Sequence, residues 1–102
     1  MQGTVKTVAQ IIQEINDHIR KSGGGYSRWY VGIASDPRDR LFNDHNVNKD
    51  NDAWIIRDCG SETAARKVEK YFLDRGYDGG AGGGDSSTRY AYAYKKNTHT
   101  RS

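Results

Sequence analysis

The chain has 102 residues, a formal net charge of +3 and 34% apolar content, enough for one domain with a small core. No apolar run approaches the roughly 18–20 residues that span a bilayer, and the polar N-terminus carries no signal-peptide pattern. A lone cysteine, Cys59, excludes an internal disulfide and points to a reducing, cytoplasmic compartment, while a pI near 9.1 leans toward a polyanionic partner.

Residues 5–21 read as an amphipathic helix, with Val8, Ile11, Ile12, Ile15 and Ile19 on one face. Thr4 or Thr7 caps it, Ser22 and three glycines end it, and His18 lies off the stripe, exposed. Tyr26 to Ala34 is a strand with Tyr30, Gly32 and Ala34 on one side and Trp29, Val31 and Ile33 on the other. Gly32 inside it implies that something approaches the backbone closely. Asp36-Pro37 opens a helix expected to run to about Asn46. A polar loop leads to a second strand, Ala53 to Cys59. Ser61 caps a helix from Glu62 to Arg75, with Ala65, Val68 and Phe72 buried, and Gly76 stops it. Residues 77–88 form a glycine-rich loop. Arg89 to Lys95 is a third strand, with Tyr90, Tyr92 and Tyr94 on one face and Ala91 and Ala93 on the other, where a helix can pack closely. The tail from Asn97 is expected to fray. The order α-β-α-β-α-β makes a small α/β or α+β domain with three strands and three helices. The sequence leaves strand order open; β1 and β2 as a parallel crossover pair is one solution.

Tyr30, Arg38, Arg40 and His45 come close to one another where the first strand turns into the second helix, and a phenol, two guanidiniums and an imidazole suit a phosphate. Each has a plainer reading. Arg40 can pair with Asp44 one helical turn on, His45 can be an exposed helix-end histidine, and Tyr30 a half-buried strand tyrosine. Glu69 sits at the edge of an apolar stripe, where a carboxylate needs a cation, a metal or hydrogen bonds. It is either a ligand for one divalent ion or a rim glutamate paired with a Lys or Arg. Glu62, on nearly the same face, suits the helix dipole. The alternating tyrosines of the third strand either stack bases or pack. The glycine run 79–84 has a helix before it and a strand after it, the reverse of a phosphate-binding loop. Cys59, His45 and His99 have no zinc spacing.

Taken in order, these residues resemble the GIY-YIG nuclease superfamily. Tyr30-Val31-Gly32 is similar to its second signature tripeptide. Arg40, eight residues after Gly32, falls at the family's catalytic arginine, within Pro37-Arg38-Asp39-Arg40-Leu41. Glu69, in Ala64-Ala65-Arg66-Lys67-Val68-Glu69-Lys70-Tyr71-Phe72, resembles the metal-binding glutamate, and AWIIRDC resembles the third strand. The resemblance covers about residues 26–76. It implies a metal-dependent DNA endonuclease. Glu69 would hold one Mg²⁺ or Mn²⁺, and Tyr30 or a tyrosine from another strand would orient or activate water. Arg40 would offset phosphorane charge, with Arg38 or His45 on the flanking backbone. Tyr30, Arg40, Glu69 and His45 are then the catalytic set, and Arg38, Tyr26 and Tyr92 the nucleic-acid contacts.

Two departures from the family stand out. The GIY strand that normally precedes YIG is missing. Either Tyr26 is its displaced remnant, or the C-terminal strand takes its place and supplies one of Tyr90, Tyr92 or Tyr94; geometry favours the second. The helix histidine, usually four residues after the arginine, is replaced there by Asp44, and His45 comes one residue late, about 100° round an α-helix. These departures keep a competing expectation in play: a module that binds DNA or a protein without cutting. A cutter of this size would need a dimer or a protein partner for sequence specificity.

Overall fold

The computed structural model describes residues 6–80 and 87–102; the Thr4 cap and most of the glycine run lie outside them. The isoleucine stripe forms helix α1, Val8–Ser22, burying Ile11, Ile15 and Ile19. Thr7 caps it reciprocally: its hydroxyl accepts from the Gln10 N–H at 3.1 Å, and the Gln10 side chain accepts from the Thr7 N–H at 2.8 Å. A 3₁₀ turn, Tyr26–Arg28, then precedes strand β1, Trp29–Ala34, so Tyr26 lies outside the strand. Strand β2 is Trp54–Asp58 and helix α3 is Glu62–Asp74. The Ser61 hydroxyl caps α3 by accepting from the Ala64 N–H. Strand β3 is Tyr90–Lys95.

The second helix departs from expectation. Asp36 caps helix α2, Pro37–Asp39, at the Asp39 N–H, and a π-helical turn, Arg40–Asp44, follows it to complete the α2 segment. The His45 N–H donates to the Arg40 carbonyl at 2.8 Å, five residues back. Such wide turns are rare and concentrate at functional positions.

The fold is α+β: three helices and a three-stranded antiparallel sheet. β3 lies in the middle, between β1 and β2. β1 and β2 therefore run in the same direction without touching as neighbours, and the parallel crossover pair does not form. The physical reason is the pattern of β3. Its small-in, large-out alternation fills both faces of a central strand, and Ala91, Tyr92, Ala93 and Tyr94 are all buried. On one face the alanines join Trp29, Val31, Ile33 and Ile55 beneath α1 and α3. On the other, Tyr30, Tyr92 and Tyr94 pack with Leu41 and Val47 beneath the α2 segment. The free edge of β1 is closed by the chain after α3: the Val31 N–H donates to the Asp78 carbonyl at 2.9 Å.

The C-terminal residues are tied down rather than frayed. The Arg101 N–H donates to the His45 carbonyl at 2.8 Å, and Asn97 and His99 both bond the Asp52 carboxylate. Among the described residues no helix is long and apolar enough to cross a membrane.

Gly32 faces Tyr92 across the β1–β3 register. A Cβ there would lie 2.6 Å from the Tyr92 hydroxyl and 2.7 Å from its ring carbon, so the close approach expected at this glycine is made by a phenol. Gly32→Ala is expected to destabilise the fold by about 2 kcal/mol, measured by urea unfolding. Because the ring itself is in the way, adding Tyr92→Phe should not restore the loss.

Candidate functional site

The outer sheet face carries a compact aromatic group. Tyr30 stacks on Tyr94 at 5.2 Å between centroids and lies 4.6 Å from the His45 ring. His45 is 3% exposed, which removes the reading of it as an exposed helix-end histidine. Its Nδ1 is 2.6 Å from the Arg101 carbonyl oxygen. A carbonyl only accepts, so Nδ1 carries the proton. In the neutral ring Nε2 is then the acceptor, and the Tyr92 hydroxyl, 2.8 Å away, donates to it. The Tyr94 hydroxyl donates to the same Arg101 carbonyl at 2.9 Å. Burial pushes the imidazole below its ordinary pKa, and nearby Arg40 adds to this; the Arg101 carbonyl works against it. Burial raises Tyr92 and Tyr94 far above an ordinary phenol, each at most 1% exposed. The tyrosine face thus packs, and Tyr92 presents no free ring for a base.

Arg40 stands at the rim of this group, its side chain 45% exposed and 3.2 Å from Asp44. Its guanidinium lowers the pKa of both Tyr30 and Tyr92 against the larger effect of burial. The Tyr30 hydroxyl points to the chain after α3; a Cβ at Gly80 would lie 2.9 Å from it. Burial raises Tyr30, the Gly80 backbone and Arg40 lower it, and Asp78 and Glu69 raise it again. Arg40 and Glu69 thus bear on Tyr30 with opposite sign, although the three come from β1, the α2 segment and α3.

Glu69 is 8% exposed, and its Oε2 is buried without a hydrogen-bond partner among the described residues. The same holds for Nε2 of His18, which is half-buried edge-on to Trp29 rather than exposed as expected. Desolvation raises the Glu69 pKa, and Arg66 only partly opposes this. Arg66 itself is engaged by Glu62 at 2.8 Å. The rim-glutamate reading, in which a Lys or Arg pairs with Glu69, is not what the described residues form. An unpaired buried carboxylate oxygen suits a divalent cation. Among the described residues no three His, Cys, Asp or Glu side chains gather as metal ligands. An ion here would take one protein carboxylate and fill its shell with water and phosphate oxygens, as Mg²⁺ commonly does.

The other expected contacts are scattered. Arg38 lies with its guanidinium 5.7 Å from the Trp54 ring centroid. Tyr26 is 57% exposed but packs edge-on to Tyr77, away from the tyrosine face. The sequence reading missed three participants. Asp78 acts on Tyr30 and accepts from Lys96 and Ser102. Trp54 and the Arg101 carbonyl were the others. Only the indole of Trp54 carried a signal, as a large ring on a strand face.

The sign of the Glu69 shift gives a prediction. A carboxylate whose folded pKa is raised penalises folding once pH rises above its unfolded value, near 4.3. Glu69→Gln should therefore stabilise the protein at pH 7 by about 1 kcal/mol, and the gain should vanish below about pH 4. His45 runs the other way. Its depressed pKa means that stability is lost as pH falls below about 6.5. Thermal melts of wild type and His45→Gln between pH 5 and 8 should show a flatter profile for the variant.

No protein-family model, no curated protein and no solved structure matches this chain.

Proposed function

We propose that the chain is a metal-dependent endonuclease that hydrolyses DNA phosphodiester bonds with a single divalent ion, at a site resembling that of GIY-YIG nucleases. One observation carries the reading: the Glu69 Oε2 is buried with no hydrogen-bond partner among the described residues. Two features of the fold support it. β3 lies antiparallel beside β1, with Tyr92 opposite Gly32, the relation a GIY strand would have to YIG. And the π-turn places the His45 N–H on the Arg40 carbonyl, so a histidine five residues after the arginine comes under it as one four residues on would in an α-helix.

In this reading Glu69 would hold the ion, which when bound polarises the scissile phosphate and stabilises the leaving oxygen. The Tyr30 hydroxyl orients the attacking water. Arg40, half-exposed at the rim, offsets charge on the phosphorane. His45 does not reach substrate; with Tyr92 and the Arg101 carbonyl it is a positioning residue that holds Arg40 and Tyr30 in place. Arg38 meets the flanking backbone. The basic charge suits DNA, and a lone buried thiol suits a reducing, cytoplasmic setting. Burial pushes Cys59 up to about 11, so it has no nucleophilic part.

The test is plasmid nicking with Mg²⁺ or Mn²⁺. Cleavage should vanish in EDTA, and Glu69→Ala and Arg40→Ala should each lower it at least about 100-fold. Activity that survives both substitutions together refutes the assignment. A second reading, binding without cutting, is favoured by the internal satisfaction of both His45 nitrogens. Amide shifts around Glu69 and Tyr30 on adding Mg²⁺ separate the two: the nuclease requires them, the binding module does not.

A further inference from the structure

A groove of about 640 Å³ opens beside the N-terminus of the α2 segment, with Ser35, Arg38, Trp54, Ile56 and Tyr90 among its walls. The volume lies within the range of small-ligand sites. Its aromatic wall is rigid. The Trp54 indole N–H donates to the Lys49 carbonyl at 3.0 Å, and Phe42 packs edge-on against the ring at 5.1 Å. Arg38 leans over the same indole, exposed, and engages no carboxylate among the described residues. Its neighbours are spoken for: Arg40 pairs with Asp44, Arg57 with Glu14 and Arg89 with Asp58. Arg38 thus pairs with no carboxylate among the described residues, although Asp36 also lines the groove, and it stands next to a flat, partly exposed ring two residues before Arg40 in the chain.

We propose that this groove takes an unpaired nucleobase of DNA, stacked on Trp54, while Arg38 leaves the ring to meet the phosphate on that nucleotide. The proposal deepens the nuclease reading and rests on its choice of nucleic acid: it makes the substrate class DNA with a single-stranded segment next to the cleaved bond. A base within a duplex has both faces stacked, so only an unpaired one offers a face to an indole. Stacking of this kind tolerates any base, and the guanidinium supplies the charge. Discrimination would then be by DNA structure rather than by sequence.

Tryptophan fluorescence reads this directly, because Trp29 is fully buried and Trp54 is the partly exposed one of the two. In EDTA, single-stranded (dT)₂₀ should quench the full chain saturably and shield it from acrylamide, and should bind at least about tenfold tighter than a 20-base-pair duplex. Trp54→Ala should weaken (dT)₂₀ binding at least about tenfold, whereas Trp54→Phe should keep most of it. Arg38→Ala, at an exposed position, should weaken binding and lower its salt dependence. Duplex binding equal to or tighter than (dT)₂₀, or absence of acrylamide shielding in the wild type, overturns the groove. So does a folded Trp54→Ala that binds as wild type, even if the wild type nicks plasmid; the hydrolase alone would then stand. Binding of (dT)₂₀ through Trp54 by a chain that never cleaves supports the groove and removes the hydrolase.

Discussion

The contact on which the outer half of the structure depends is the one between Tyr92 and His45. The phenol lies over Gly32 and donates to a neutral imidazole, whose other nitrogen is held by a backbone carbonyl from the far end of the chain. Each part constrains another. The glycine lets a large ring lie against β1. The ring sets β3 in register with β1, Tyr92 opposite Gly32. The imidazole draws the α2 segment down onto the sheet, and the Arg101 carbonyl fixes its tautomer. A buried polar group satisfied on both sides in this way gives specificity of arrangement rather than bulk stability.

The two faces of the sheet divide the work. Beneath α1 and α3 the core is built mainly from apolar side chains, with Ile11, Ile15, Trp29, Val31, Val68 and Phe72 removed from water. That side supplies most of the hydrophobic stabilisation. The α2 side is built from rings with hydroxyls and nitrogens, and it positions polar groups instead. Glu69 belongs to the first face by its helix but acts on Tyr30 of the second. β1 is an edge strand, and its rim is where the chemistry of the two faces can meet. A buried carboxylate left without a partner is costly, which makes it the natural place to look for a bound cation.

Legibility followed the range of the interactions. The helix caps at Asp36 and Ser61, and Thr7 as one of two candidates for the first helix, were legible because capping involves residues three apart. The stripe of α1, the strands and the edge position of Glu69 were equally local, set by periods of 3.6 and 2. Gly32 announced a close approach but not the identity of the visitor. The π-turn was invisible: nothing in Arg40–Asp44 differs in pattern from an ordinary helical turn, and the contacts that hold its end, Tyr92 and Arg101 on His45, come from the far end of the chain. The docked tail was misread for the same reason. Its polar residues look frayed until Asp52 and His45, some fifty residues away, supply partners.

By itself, then, the sequence determined the kinds of element, most of their ends and which residues could face a core, since those follow from backbone propensity and side-chain period. Tertiary structure alone decided that β3 lies between β1 and β2, that Tyr92 and His45 are buried against each other, and that Glu69 Oε2 is buried without a hydrogen-bond partner among the described residues. These are outcomes of packing between segments distant along the chain. They depend on volumes and on the geometry of hydrogen bonds in three dimensions, which no local pattern encodes.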